Sequence, residues 1–295
     1  MSLPELLAAA ASRARCDGVL LSGGLDSATV AWALTKAGLK PVGFNTQYAP
    51  APGSDVPHLM EVARALRLRV VVSWVGEEEA VKAAEEVVGI LKVFNPMEVV
   101  NCAAAYVSMR AAAEMGVRRI CTGDGGDELF AGYEYMQRME PRELDEYIRR
   151  LAEGRWYFCA FDVGKALGVE VAAPYLDPEV VRYALSVPAE EKVRGGVGKY
   201  VVRRQFQGLL PDSVVWRRKD PIEVGSGFSA LYDVLARRAE GYSADIPVQG
   251  AAKYLYKAFR ERGLTYERDK ESPCPVCGYK LRDGYCPMCG YYARA

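Results

Sequence analysis

The amino-acid sequence predicts an α/β protein: a doubly wound parallel sheet in the first half, a mostly helical second half, and a small cysteine-rich module at the end. Three observations carry this prediction. Short apolar runs alternate with amphipathic stretches up to about residue 135, and strands that alternate with helices form parallel sheets because each helix must cross back over the sheet. From about 136 to 266 strand-like runs are scarce, and Pro141, Pro174, Pro188, Pro211 and Pro221 break the helical spacing. Cys274, Cys277, Cys286 and Cys289 then fall within sixteen residues. The expected organisation is one domain over 1–266, with a sheet core at about 15–135 and a helical part at about 136–266, followed by a module over 267–295.

The elements follow in order. Leu3 to Ala11 is apolar but short, with Arg13 and Arg15 behind it and no small-residue cleavage site before the first strand. A first helix is expected there, not a signal peptide. Gly18 to Leu21 reads as a buried strand, then a turn and a helix over 26–37. Lys40 to Asn45 is a second strand, and a Pro/Gly-rich loop runs from Tyr48 to Pro57 before a helix over 59–66. Arg69 to Trp74 is a third strand, whose Val-Val-Val run predicts burial on both faces. Helices are expected over 77–91 and 99–115, and a fourth strand over 117–122. No apolar run approaches the length of a membrane span, so no membrane partner and a cytoplasmic location are expected. Lys+Arg and Asp+Glu both number 38, so bulk charge gives no long-range attraction to nucleic acid or anionic lipid.

Two segments carry chemistry. Ser22-Gly23-Gly24-Leu25-Asp26-Ser27 lies directly between the first strand and its helix. Helix N-termini present free N–H groups and the positive end of the dipole to a phosphate. Glycines let the backbone approach the oxygens, and Ser22 and Ser27 add hydroxyl donors. Asp26 beside phosphates makes sense if magnesium bridges them. The second segment, Thr122-Gly123-Asp124-Gly125-Gly126-Asp127-Glu128-Leu129-Phe130-Ala131-Gly132-Tyr133, follows the fourth strand. Three carboxylates separated by glycines at a strand's carboxyl end suit the ligand crevice of an open α/β sheet.

These two segments resemble the synthetase domain of glutamine-dependent asparagine synthetases, within the N-type ATP pyrophosphatases of the PP-loop superfamily. The likeness continues through Glu170 to Asp177, Gly198-Lys199, Leu210-Pro211, Trp216-Arg217-Arg218-Lys219 and Gly225-Ser226-Gly227, and covers about residues 15–230 in the right order. It implies an adenine-nucleotide α-hydrolase-like fold and cleavage of ATP between its α and β phosphates. By the resemblance, Ser22, Gly23, Gly24, Asp26 and Ser27 would hold the phosphates that leave as pyrophosphate. Asp26 and Asp127 would hold Mg²⁺, and backbone around Leu21, Phe44 and Gly123 would line the adenine pocket. Lys199 would neutralise charge developing at the α-phosphoryl group. The family adenylates a carboxylate, which ammonia then attacks to give an amide.

The sequence departs from the family in three places. Residue 2 is Ser where a glutaminase nucleophile would be Cys, so ammonia is expected from solution or from a separate glutaminase subunit. Asp124 stands where the family has the glutamate that helps deprotonate ammonia, one methylene shorter. Arginines usual in the family are replaced by Ala172 and by Cys159-Ala160-Phe161-Asp162, which weakens the expected grip on aspartate. Arg203, Arg204 and Arg218 are candidates to compensate. Glu98 reads as a first-turn helix acid, and His58 as a surface residue.

Cys274-Pro-Val-Cys277-Gly and Cys286-Pro-Met-Cys289-Gly form matched knuckles. Two-residue spacing puts both sulfurs of a pair on one ion, and four thiolates favour tetrahedral zinc. The segment resembles a zinc ribbon, and metal binding would supply most of its folding free energy. Tyr279, Lys280, Arg282, Tyr285, Tyr291, Tyr292 and Arg294 suit an RNA or protein partner as well as a structural clip. Cys16, Cys102, Cys121 and Cys159 read as buried apolar fillers, with disulfides among these four the lesser alternative. The leading expectation is an AMP-forming amide ligase using ATP, Mg²⁺ and Zn²⁺. The alternatives are a tRNA thiolase-like ATP pyrophosphatase and a nucleotide-binding protein without an acceptor site.

Overall fold

The computed structural model describes residues 1–154 and 156–293; Arg294 lies outside the described residues. Five strands form one sheet in the order β3-β2-β1-β4-β5: β1 (Gly18–Leu20), β2 (Val42–Tyr48), β3 (Arg69–Val75), β4 (Arg119–Cys121) and β5 (Glu170–Ala172). β1 runs parallel to β2 and β4, and β4 parallel to β5. The helices are α1 (Leu3–Ala14), α2 (Leu25–Lys36), α3 (Asp55–Leu66), α4 (Glu77–Leu91), α5 (Pro96–Glu114), α6 (Gly126–Phe130), α7 (Pro141–Glu153) and α8 (Cys159–Leu167). Beyond β5 follow α9 (Pro178–Ser186), α10 (Ala189–Lys192), α11 (Tyr200–Phe206), α12 (Asp212–Val215), α13 (Ile222–Gly225), α14 (Leu231–Arg238) and α15 (Gly250–Glu261). The doubly wound α/β expectation holds. Among the described residues no single helix is long and apolar enough to cross a membrane.

The chain packs into two compact units, each assembled from three segments. Unit 1 comprises Met1–Asn45, Asp55–Val71 and Ala111–Asp220; unit 2 comprises Thr46–Ser54, Val72–Arg110 and Pro221–Ala295. Unit 1 holds β1, β4, β5 and the first parts of β2 and β3. Val19, Leu21 and Ile120 are fully or almost fully buried in its sheet core, and α1 packs on α2. In unit 2, α15 packs against α14 and α4 around Val87, Val88, Leu235, Leu255 and Phe259.

Two differences from the sequence reading have physical causes. β5 was not expected, because three residues at a sheet edge carry no periodicity; parallel pairing with β4 makes it a strand. β3 is the opposite edge, so Val70, Val71 and Val72 are only partly buried and Trp74 is 53% exposed, not covered on both faces.

The filler reading of the four scattered cysteines is revised, since Cys16, Cys102, Cys121 and Cys159 are all disulfide-bonded. Cys16, just before β1, and Cys121, at the end of β4, form a disulfide with Cα atoms 5.7 Å apart. A separation of 105 residues hid this neighbourhood, which exists only because β1 and β4 are adjacent in the sheet.

Candidate active site and metal centre

Strand order reverses at β1, which has β2 on one side and β4 on the other. Ligand crevices open at such switch points, beyond the carboxyl ends of the strands. The loops after β1 and β4 are the two segments singled out from sequence. In the first, Ser22 N–H donates to Ser27 Oγ at 3.2 Å, Gly24 N–H donates to Ser22 Oγ at 3.2 Å, and the two hydroxyls lie 3.1 Å apart. These bonds curl the loop over the N-terminus of α2, which starts after Gly24. Leu21 N–H donates to Phe44 O at 2.9 Å, and Asn45 Nδ2 donates to Leu21 O at 3.1 Å. Leu21 and Phe44 therefore sit together at the strand ends, with Gly123 just past β4.

The second loop closes tightly on the first. A Cβ on Gly126 would stand 2.7 Å from Asp26 Oδ1, and one on Gly132 would overlap the Asp127 carboxylate and Lys199 Cε. Only glycine at these positions lets Asp26, Asp127 and Lys199 converge. Lys199, at the start of α11 with φ +56°, reaches Asp26 and stands 2.5 Å from Asp127 Oδ1. Lys219 Nζ lies 2.7 Å from Asp127 Oδ2 and 5.4 Å from the centre of the Tyr133 ring. Burial raises the pKa of Asp26. Burial also acts on Asp127, but Lys199 and Lys219 outweigh it and lower that pKa. Lys199 loses solvation, yet the two aspartates hold it more firmly charged than an ordinary lysine.

Asp26 Oδ1 is buried and without a hydrogen-bond partner among the described residues. An unpartnered buried carboxylate oxygen beside a second carboxylate that shares Lys199 with it is a donor set that fits Mg²⁺. Asp124 lies alongside and accepts from Thr122 Oγ1 at 2.8 Å. Burial pushes its pKa up to about 6, with Glu128, Asp127 and Asp26 adding to the effect. Glu128 in turn accepts from Tyr133 Oη at 2.6 Å.

Two residues had no role assigned from sequence. Lys219, at the end of the Trp216–Lys219 stretch, belongs to the carboxylate cluster. Arg217, its side chain 7% exposed, donates to Ser22 O at 3.2 Å and pairs with Asp55 at 2.9 Å and Asp220 at 3.2 Å. It ties the phosphate loop to the start of α3, where burial raises the Asp55 pKa to about 6 against the pull of Arg217. His58, expected at the surface, is partly buried behind Gly23, and burial lowers its pKa. Arg203 donates to the carbonyls of Gly198, Val215 and Arg217 at 3.0, 2.5 and 3.0 Å. Arg204 and Arg218 are exposed.

Unit 2 contains the cysteine cluster. The sulfurs of Cys274, Cys277, Cys286 and Cys289 are buried and all lie within 4.8 Å of one another. Cys274 and Cys289 are 3.6 Å apart, and Cys277 and Cys286 are 3.5 Å apart. Four sulfurs about 2.3 Å from one zinc would stand about 3.8 Å apart, so the donor set fits. The second knuckle is seated on the start of α5. Phe94 N–H donates to Met288 O at 3.0 Å, and Asn95 Nδ2 donates to Tyr285 Oη at 2.5 Å. Asn95 Oδ1 meanwhile accepts from Met97 N–H at 3.2 Å, capping α5. Tyr279 packs edge-on against Tyr266, which contacts Phe94 and Phe259. Tyr279 and Tyr285 thus face into unit 2, and Tyr292 is 62% exposed. Glu98 sits in the first turn of α5, and burial raises its pKa.

A parallel sheet whose switch point carries a glycine-serine loop at a helix N-terminus and a carboxylate–lysine cluster defines an α/β protein with a ligand crevice at its strand ends. A family model described as asparagine synthase matches residues 4–160 and 162–274, and the chain belongs to that family. It is 30% identical over 277 residues to an asparagine synthetase [glutamine-hydrolyzing] of Gallus gallus, covering 85% of this chain and 47% of the relative. It is 29% identical over 231 residues to asparagine synthetase B of Escherichia coli (strain K12), covering 72% of this chain and 42% of that one. The chain spans about half the length of the curated relatives it matches. Among solved structures, an NMN synthetase from Francisella tularensis aligns at TM-score 0.33 and 14% identity, over 91% of this chain and 95% of that one.

Proposed function

We propose that the protein is an AMP- and pyrophosphate-forming amide ligase that adenylates a carboxylate other than aspartate and transfers it to ammonia. The observation that carries this reading is the convergence of Asp26, Asp127, Lys199 and Lys219 on the Ser22–Ser27 loop at the switch point of the sheet. Ser22, Ser27 and the N-terminus of α2 bind the β and γ phosphates of ATP. Asp26 and Asp127 would hold Mg²⁺, which supplies charge neutralisation for the departing pyrophosphate. The acceptor's carboxylate oxygen bonds to the α phosphorus as the bond to the β-bridging oxygen breaks. Lys199 and Lys219 stabilise the charge gathered on the leaving group. Ammonia then attacks the acyl carbon, AMP leaves, and Asp124 takes the proton lost by nitrogen. A carboxyl with a pKa of about 6 is mostly ionised at neutral pH and remains a competent base.

The choice against aspartate rests on Ala172 and Cys159–Asp162, where the family's arginines are absent. Arg203 does not replace them, because its guanidinium is bound to three backbone carbonyls. In unit 2 the four cysteines would hold a structural zinc. The deciding experiment supplies Mg-ATP, ammonium and a panel of carboxylates, and follows pyrophosphate and AMP. Acceptor-dependent release with a carboxylate other than aspartate is expected. Formation of ADP would overturn the reaction class, and brisk turnover of aspartate to asparagine would overturn the acceptor assignment.

A further inference from the structure

Lys199 stands where a cation bridging Asp26 and Asp127 would stand. Its ammonium touches both carboxylates, and its side chain is only 4% exposed. The backbone holds it there: Lys199 N–H donates to Phe130 O at 3.0 Å, its φ is +56°, and Gly132 leaves room for Cε. Lys219 differs. It reaches Asp127 alone, through the other carboxylate oxygen, and its side chain is 34% exposed.

Between them Asp26, Asp127, Lys199 and Lys219 carry two negative and two positive charges, so each carboxylate already has its counter-charge before any ligand arrives. A free divalent ion entering it would add two buried positive charges beside an ammonium, which a desolvated site resists. ATP changes this balance. Its phosphates bring negative charge of their own and offer Lys199 a new partner within the same loop. We propose that Lys199 is a built-in counter-ion: it excludes free divalent cations from the Asp26–Asp127 pair and yields the pair only when a triphosphate draws its ammonium away. Metal therefore enters with the nucleotide and does not wait for it. This inference rests on the assignment of Asp26 and Asp127 as metal ligands and adds an order of binding that the assignment alone does not contain.

The test measures Mn²⁺ binding by the paramagnetic resonance of the free ion, with and without a non-hydrolysable ATP analogue. Lys199→Met should bind Mn²⁺ without nucleotide about tenfold or more tightly than the wild type, because the competing charge is gone. Lys219→Met should stay like the wild type, since Lys199 still bridges the pair. With the analogue present, the wild type should take up Mn²⁺ as well. If Lys199→Met is poorly folded, its melting temperature supplies the answer: Mn²⁺ alone should raise it, while leaving the wild type unmoved. Equal affinity for Mn²⁺ in wild type and Lys199→Met, or an equal gain in both lysine variants, overturns the counter-ion role. Failure of the wild type to take up Mn²⁺ even with the analogue is a different result, and it removes the metal assignment beneath the inference.

Discussion

Replacing Asp124 by Asn isolates what burial does to that carboxyl. Its pKa moves from an ordinary 3.8 to about 6, a shift of about 2 units, or about 3 kcal/mol at most. The folded-state pKa lies above the unfolded one, so between about pH 4 and pH 6 the native protein keeps a proton that the unfolded chain has released. Stability therefore falls as pH rises through that window, and the full cost is present above it. Asparagine does not ionise. The stability of Asp124→Asn relative to wild type should rise by up to about 3 kcal/mol between pH 4 and pH 7. A constant offset from the buried amide leaves this slope unchanged, and Asp55 and Glu128, also raised by burial, are common to both proteins. Urea unfolding of the two proteins at unit steps of pH, without nucleotide, measures the difference. A difference that stays flat with pH would refute the argument. The same substitution should abolish acceptor-dependent turnover, whose acid limb in the wild type should fall near pH 6.

Other expectations are simpler. Asp127→Asn removes a charged contact worth about 1.5–3 kcal/mol, so calorimetry should find Mg-ATP affinity reduced about ten- to a hundredfold. Replacing Cys16 and Cys121 by Ser should lower stability by about 2–5 kcal/mol in urea melts. Asn95→Ala removes the seat of the second knuckle, so affinity for zinc, read by competition with a chromogenic chelator, should fall about ten- to a hundredfold. Nucleotide binding should change little in Cys277→Ala/Cys289→Ala, because every residue proposed to handle phosphate lies in unit 1.

What could be read from sequence was local. The loops at Ser22–Ser27 and Thr122–Tyr133 and the two Cys-x-x-Cys knuckles each compress their chemistry into a dozen residues or fewer, and element types follow from periodicity over similar windows. What could not be read joins distant residues. Arg217 meets Ser22 across 195 positions, Asn95 meets Tyr285 across 190, and Cys16 meets Cys121 across 105. The basic residues of Trp216–Lys219 were a usable signal for Arg217 and Lys219, since a cluster of buried carboxylates needs cations from somewhere. Tyr279 and Tyr285 looked available to a partner because composition does not distinguish an inward-facing aromatic from an outward-facing one. The short strand β5 and the exposed edge β3 illustrate the same limit for the sheet.

The interleaved segments of unit 2 set a timetable for synthesis. Helix α4 and most of α5 leave the ribosome well before α14 and α15, which cover the apolar face of α4; residues 111–220 must be made in between. At about 5–20 residues per second that interval is roughly 5–20 s. During it Val81, Val87 and Val88, buried in the finished protein, have no native cover from the C-terminal helices. Unit 1, by contrast, has its full complement of residues once Asp220 emerges. The nascent chain thus carries a nucleotide-binding half able to close early beside a sticky half that must wait, which makes the α4–α5 region the expected point of chaperone engagement.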